Sequence, residues 1–170
     1  MTTTQKNIAL GMLLGSLFLM SHAASAATWS TSGSVCAPGV DSAGLYNFNG
    51  AQFLFNGTNT GEIKARCAVT NPKDSGAPAW KTMVVGYQDP DGTGINYQVT
   101  AQLLRVDKSS GVSTIITTFS SNSFTSTGPT SHSVSFTHTF DFDNNAYYVR
   151  LTLDRVDSLN NPAFWFVQLK

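Results

Sequence analysis

The chain has 170 residues, with ten Lys and Arg set against ten Asp and Glu; charged residues make up 12% and aromatic residues 11%. No basic block stands out, so the cationic footprint that nucleic-acid binding needs is missing, and a chain this poor in charge and rich in rings is not disordered. Two cysteines cannot build a zinc knuckle or a disulfide-dense miniprotein.

In chain order, residues 1–26 read as a secretory signal peptide. Lys6 lies near the amino terminus, an apolar run over 8–20 is too short to span a bilayer comfortably, and the small residues Ala24 and Ala26 mark a cleavage site. An uncleaved anchor helix is the alternative. Cleavage leaves 144 residues with 9 Lys and Arg against 10 Asp and Glu, a formal charge of −1, and two histidines, His132 and His138. No remaining apolar run is long enough to cross a membrane, so the mature form is expected as a secreted or periplasmic single domain. In an oxidising compartment Cys36 and Cys67 are expected to pair as a disulfide. It would close a loop of about 30 residues and stabilise the fold by roughly 3 kcal/mol. Residues 27–35 are expected as a flexible arm ahead of a domain over 36–170.

From there the pattern has period two. Ile63, Ala65, Cys67 and Val69 alternate with Lys64, Arg66, Ala68 and Thr70, and Ile95, Tyr97, Val99, Ala101 and Leu103 alternate with polar neighbours. The pattern recurs through Val134, Phe136, His138, Phe140 and Phe142, and again through Tyr147, Val149, Leu151 and Leu153. Each run predicts a half-buried strand, with weaker runs at 51–56, 82–88, 113–119 and 163–169. Asn56-Gly57, Asp91-Gly92, Ser110-Gly111 and Asp143-Asn144-Asn145 supply turn chemistry between them, and 120–133 is a longer polar loop. About eight strands without intervening helices predict an all-β fold, a single antiparallel β-sandwich of jelly-roll or immunoglobulin-like connectivity with one disulfide.

The early Cys36/Cys67 pair, the Val85-Gly86-Tyr87-Gln88-Asp89 segment and the Tyr147-Tyr148-Val149-Arg150 strand give the chain a resemblance. It resembles small exported bacterial β-sandwich proteins that are themselves uncharacterised. The resemblance implies a β-sandwich and brings no catalytic residues.

Two acidic turns are candidate metal sites. Asp89 and Asp91 sit in an Asp-Pro-Asp-Gly-Thr-Gly segment, where a D-x-D-G pattern can offer carboxylates to Ca²⁺. An EF-type loop would need a Glu at its twelfth position, which is Thr100 here, and hairpin-turn chemistry accounts for the same residues. Asp141 and Asp143 would join them in one Ca²⁺ site if the two turns share an end of the sandwich. His138 is expected on the apolar face as a core histidine, and His132 on the same side at the loop edge. No Gly-x-Ser-x-Gly elbow appears, and Glu62 is the single glutamate.

Aromatic residues point toward binding, because exposed rings stack on sugar faces while Asn, Gln and Asp read hydroxyls. Trp80 ends a Pro/Gly loop, Tyr87 flanks the Asp-Gly hairpin, and Tyr148 alternates against the apolar residues of its strand; these three are the candidate ligand-binding residues. Trp165, Tyr97 and Tyr147 are expected in the core. Arg150 and Asp154 share a strand face and are expected as a surface ion pair of little energetic weight.

These features predict a secreted, non-enzymatic binding or interaction module for a glycan or protein ligand, with carbohydrate the leading class. The alternative is a structural subunit of a surface assembly or filament, oligomerising through edge strands such as the 27–35 arm or the apolar 163–170 run. A small hydrolase or metal enzyme comes third. It needs a pocket joining His132 or His138 to at least two carboxylates.

Overall fold

Strands whose alternate residues are apolar collect those residues on one face, and two such faces bury each other. In the computed structural model, which describes residues 27–72 and 76–170, this produces two packed antiparallel sheets. The signal-peptide expectation for 1–26 lies outside the described residues. Eleven strands occur among the described residues: β1 (Trp29–Ser32), β2 (Ala37–Pro38), β3 (Tyr46–Asn49), β4 (Gln52–Phe55), β5 (Gly61–Val69), β6 (Thr82–Gln88), β7 (Tyr97–Asp107), β8 (Ser113–Ser120), β9 (Thr130–Ser135), β10 (Asn145–Arg155) and β11 (Ala163–Leu169). One sheet has the order β3-β4-β11-β6-β9, with β1 also on β11; the other has the order β2-β5-β10-β7-β8. The all-β antiparallel sandwich and the Cys36–Cys67 disulfide are therefore as expected, with more strands than the eight read from periodicity. No described helix is long and apolar enough to cross a membrane.

The core is the sum of the inward residues. Ile63, Ala65 and Cys67 from β5 meet Val149, Leu151 and Leu153 from β10, and Phe53, Phe55, Val85, Phe164 and Val167 close from the other sheet. Fully burying a side chain of this size stabilises by roughly 1.5–3 kcal/mol each.

Three expectations are corrected. Residues 27–35 do not form a loose arm: Trp29–Ser32 pairs with Leu169–Phe166 and Trp29 is buried. β4 covers β11 at Ala163 and Phe164, and β1 takes over the same flank from Phe166 onward. The 163–169 run is thus an inner strand, bonded on its other side to β6, rather than an edge free to recruit a partner. The third correction concerns 134–142. The strand there is Thr130–Ser135, and the chain leaves β6 after the Phe136 amide bonds the Lys81 carbonyl at 2.9 Å. Phe136 and Phe140 stay buried beyond that point, so the alternation there reports packing without a ladder.

Arg155 closes one end of the sandwich. It terminates β10 on the inward side, is 4% exposed, and donates to the carbonyls of Gly57, Asn59, Ser158 and Asn160 at 2.7–3.0 Å. Its guanidinium also lies 5.8 Å from the Phe55 ring centre. One rigid fork therefore ties two loops that have few apolar contacts of their own. Arg155→Ala is expected to lower the unfolding free energy by about 3 kcal/mol, since buried carbonyls lose their donors. Arg155→Lys should recover little of it, because a point charge cannot reach four acceptors in this fork. Urea titration measures both, and a loss below about 1 kcal/mol for the alanine variant would show that the fork is dispensable.

Candidate functional site

Of the three aromatic candidates, two belong to the core. Trp80 is fully buried; its indole donates to the Ala27 carbonyl at 2.7 Å and its ring meets Phe140 edge-on at 4.9 Å. The Pro/Gly loop that suggested exposure delivers an anchor into the sandwich. Tyr87 is also fully buried, on the inward side of β6, with its ring 5.2 Å from Phe119. Its hydroxyl has no hydrogen-bond partner, and burial, then the Asp89 carboxylate, pushes its pKa up to about 12. Tyr148 alone among the three lies at the surface, half-buried on β10.

The four acidic candidates do not converge. Asp89 is fully buried and accepts the Ser121 hydroxyl, which in turn accepts the Val99 amide at 2.8 Å. Asp91 folds back over Gly94 and accepts the Asn96 amide at 2.9 Å; a Cβ at Gly94 would lie 2.0 Å from its carboxylate. This turn precedes Tyr97, whereas Asp141 and Asp143 precede Asn145, the partner of Asp107 at the far end of β7. An eleven-residue strand is about 35 Å long, so the turns occupy opposite ends and the joint Ca²⁺ site is not formed. Asp141 instead caps its own turn through the Asp143 and Asn144 amides at 3.0 and 3.1 Å, and bonds to Asn144 hold its pKa below the usual range. Among the described residues no group of three His, Cys, Asp or Glu is arranged to hold a metal.

The side-chain hydrogen-bond partners of the histidines are hydroxyls, Ser126 for His132 and Tyr147 for His138. His132 stacks on Phe124 at 3.9 Å between ring centres. His138 is half-buried beside the Tyr147 hydroxyl at 3.2 Å, and burial, then Arg105, lowers its pKa. The hollow at His138 is lined by Arg105, Thr114, Ile115, Ile116 and Thr137, none of them acidic.

What the fold does assemble is a continuous outward face on the five-stranded sheet. Strand register sets its rows. Ala68, Tyr148, Leu104 and Ile115 form an apolar row across β5, β10, β7 and β8. The next row is Arg66, Arg150, Gln102 and Thr118. Arg150 donates to the Gln102 side-chain carbonyl from Nε at 3.0 Å and also from Nη2, and Gln102 donates to Thr118 at 3.3 Å. Beyond lie Lys64, Thr152, Thr100 and Ser120, then Glu62, Asp154 and Gln98. The expected Arg150–Asp154 ion pair is absent; the ion pair here is Lys64–Glu62.

Two hollows indent this face and share Arg66. One, of about 570 Å³, is lined by Tyr148, Arg66, Ala68, Ala37, Ser113 and Ala146 among others; the other, of about 150 Å³, lies between the 39–42 segment and Lys64, Arg66 and Arg150. The rim at 36–42 is held to β5 by the disulfide, by the Gly39 amide on the Lys64 carbonyl at 2.8 Å, and by the Lys64 amide on Ser42 Oγ at 2.8 Å. Such a shallow groove can seat an extended, hydroxyl-rich chain: a ring to stack on, and guanidinium, amide and hydroxyl groups to bond.

The opposite sheet carries Trp165, which is expected in the core from sequence, and Phe166 beside it at the surface. A bulge between Phe164 and Phe166 leaves both Trp165 and Phe166 half-buried beside Gly86, where a Cβ would lie 2.3 Å from the Phe166 ring and 2.6 Å from the Trp165 indole nitrogen. A glycine inside the β6 run was the available signal of this close approach.

Asp89 carries a pH dependence. Burial is the main cause that pushes its pKa up to about 6, against 3.8 for the ordinary group; the Ser121 hydroxyl acts in the opposite direction. The folded state thus holds this proton more tightly than the unfolded chain, so the associated stability is full below about pH 3.8 and is lost as pH rises through about 6. Asp89→Asn should remove a fall on the order of 2 kcal/mol in unfolding free energy between pH 4 and pH 7. Parallel stability profiles for the variant and the parent protein would refute this.

No protein-family model matches the chain, and no curated protein does. Solved structures match it in fold. A xylan-binding module, CBM15, aligns over 85% of this chain and 96% of its own, with a TM-score of 0.50 and 8% identity. The low-affinity xylan-binding module CBM86 from Roseburia intestinalis aligns over 85% and 95%, with a TM-score of 0.44 and 10% identity. A family two carbohydrate esterase from Cellvibrio japonicus aligns over 84% of this chain and 33% of its own, with a TM-score of 0.40 and 14% identity.

Proposed function

We propose that the protein is an exported, non-catalytic carbohydrate-binding module that holds a glycan chain on the outward face of its five-stranded sheet. The observation that carries this reading is the surface ring of Tyr148, which lines the larger hollow together with Arg66 and stands one row away from Arg150 and Gln102. A pyranose ring has an apolar face of C–H bonds that lies on an aromatic ring, and equatorial hydroxyls that point to the flanking donors and acceptors. The fold shared with a xylan-binding module supports the same class of ligand. Export is supported by the signal-like segment at 1–26 and by a disulfide of the kind that persists in oxidising compartments. The assembly reading loses its motives, since the N-terminal residues and the final run are already paired within the chain.

Affinity electrophoresis against soluble plant and bacterial polysaccharides tests this. Tyr148→Ala is expected to weaken binding at least tenfold with an unchanged melting temperature, and Tyr148→Phe to keep most of it, because the stacking face is retained. Binding that survives Tyr148→Ala but disappears in Trp165→Ala would move the site to the other sheet and overturn the assignment.

A further inference from the structure

We infer that the glycan bound on this face is acidic, a chain bearing uronic-acid carboxylates, with Arg66 and Arg150 as the carboxylate receptors beside the Tyr148 stacking ring. The inference rests on the glycan-binding reading and adds the charge of the ligand. Arg66 and Arg150 are direct cross-strand partners, and like charges placed opposite each other in a sheet are destabilising. A surface that keeps two guanidiniums side by side needs something to offset the repulsion. The acceptor bonded to Arg150 is the neutral Gln102 carbonyl.

Acids on this sheet face stand elsewhere. Glu62 and Asp154 lie two rows away, opposite each other; Glu62 is paired with Lys64, and Asp154 is held above the usual carboxylate range by burial and by Glu62. In a strand the step from residue 150 to 154 is about 13 Å, out of reach of an ion pair. The face is therefore divided, acidic at one end and cationic beside the aromatic ring. The larger hollow has Arg66 as its charged lining and no acid; the smaller has Lys64, Arg66 and Arg150 against the exposed Asp41 on its rim.

Arginine suits a carboxylate in particular. Its planar fork offers two parallel N–H groups to the two oxygens, and it stays charged at every relevant pH. Gln102 already orients the Arg150 fork through Nε and Nη2. A uronate stacked on Tyr148 would carry its C5 carboxylate at the edge of the ring, on the side where the next row supplies the two guanidiniums. A neutral hexose or xylose would leave both charges unmatched.

Calorimetric titration of the protein with matched pairs of oligosaccharides tests the inference: de-esterified against fully methyl-esterified oligogalacturonate, and glucuronic-acid-decorated against undecorated xylo-oligosaccharide. At least one acidic member is expected to bind tenfold or more tightly than its neutral partner, with the advantage falling several-fold between 50 and 500 mM NaCl as the charges are screened. Arg66→Gln and Arg150→Gln should each reduce that advantage about tenfold with no fall in melting temperature, while Arg66→Lys restores part of it. Equal binding of acidic and neutral members, abolished by Tyr148→Ala, would overturn the charge assignment and leave the glycan-binding reading standing. A double Arg66→Gln/Arg150→Gln variant that keeps the full acidic preference would overturn it as well. Absence of binding to any glycan, acidic or neutral, would remove both. A sulfated oligosaccharide that binds as tightly as the uronate would show recognition of negative charge in general and refute carboxylate selectivity.

Discussion

The outward face proposed to bind glycan depends on the central position of β10, which is hydrogen-bonded along its length to β7 on one side and to β5 on the other. With side chains alternating at period two, that double pairing leaves no freedom in what faces outward. Val149, Leu151 and Leu153 must enter the core, so Tyr148, Arg150, Thr152 and Asp154 must face solvent. A slip of one residue would bury a guanidinium and a carboxylate and expose three fully buried aliphatics, a change of many kcal/mol. The position of the proposed binding face is a by-product of core packing, and only its chemistry is free to be chosen.

Both ends of β10 are pinned by polar groups. At its start the Asp141 turn is closed by its own carboxylate, and Tyr147 turns its hydroxyl back to accept the Asp141 amide at 2.9 Å. At its end Arg155 gathers four carbonyls. The three arginines of this region make an instructive contrast. Arg155 is buried and its fork is filled by the protein; Arg150 is half-buried with one side of its fork on Gln102; Arg66 is exposed at the junction of two hollows. Burial forces a charged group to find partners within the chain, and of these three arginines the two less buried ones line the groove.

Much of this architecture was legible from periodicity. The runs at 82–88 and 163–169 coincide with β6 and β11, and Tyr148, which alternates against the apolar residues of its strand, is half-buried on the outward side. The failures share a cause: local pattern reports burial and not what buries. Phe136 and Phe140 alternate like a strand because they pack, though the ladder on β6 ends at the Phe136 amide and no strand continues through that stretch. Trp80 looked exposed because it sits in a loop, yet loops can supply core anchors. Ile95 continued the β7 alternation in sequence but is 89% exposed in the turn ahead of the strand. Trp165 broke the other way, since a single bulge residue reverses the face of everything after it. The two acidic turns were equally acidic in sequence, and only strand connectivity separates them. The Arg150–Asp154 pairing borrowed a helical spacing; along a strand the same four residues open a gap of about 13 Å.

The groove rim has a similar logic at a smaller scale. β2 is two residues long and contains Pro38, which has no amide to donate, so a ladder cannot hold the 36–42 segment against β5. Three other devices do so: the Cys36–Cys67 bond, the Gly39 amide on Lys64, and Ser42, which is 2% exposed and bonded to the same Lys64 backbone. Each anchors to an inward residue of β5 or to its backbone, and none uses an outward side chain. Arg66, flanked in sequence by the anchored Ala65 and Cys67, thereby stays clear of structural duty while its backbone is fixed from both sides. A rim held covalently to one strand, beside an arginine whose side chain is left open, combines a rigid wall with an available charge, the preorganisation on which the proposed recognition of an acidic sugar would draw.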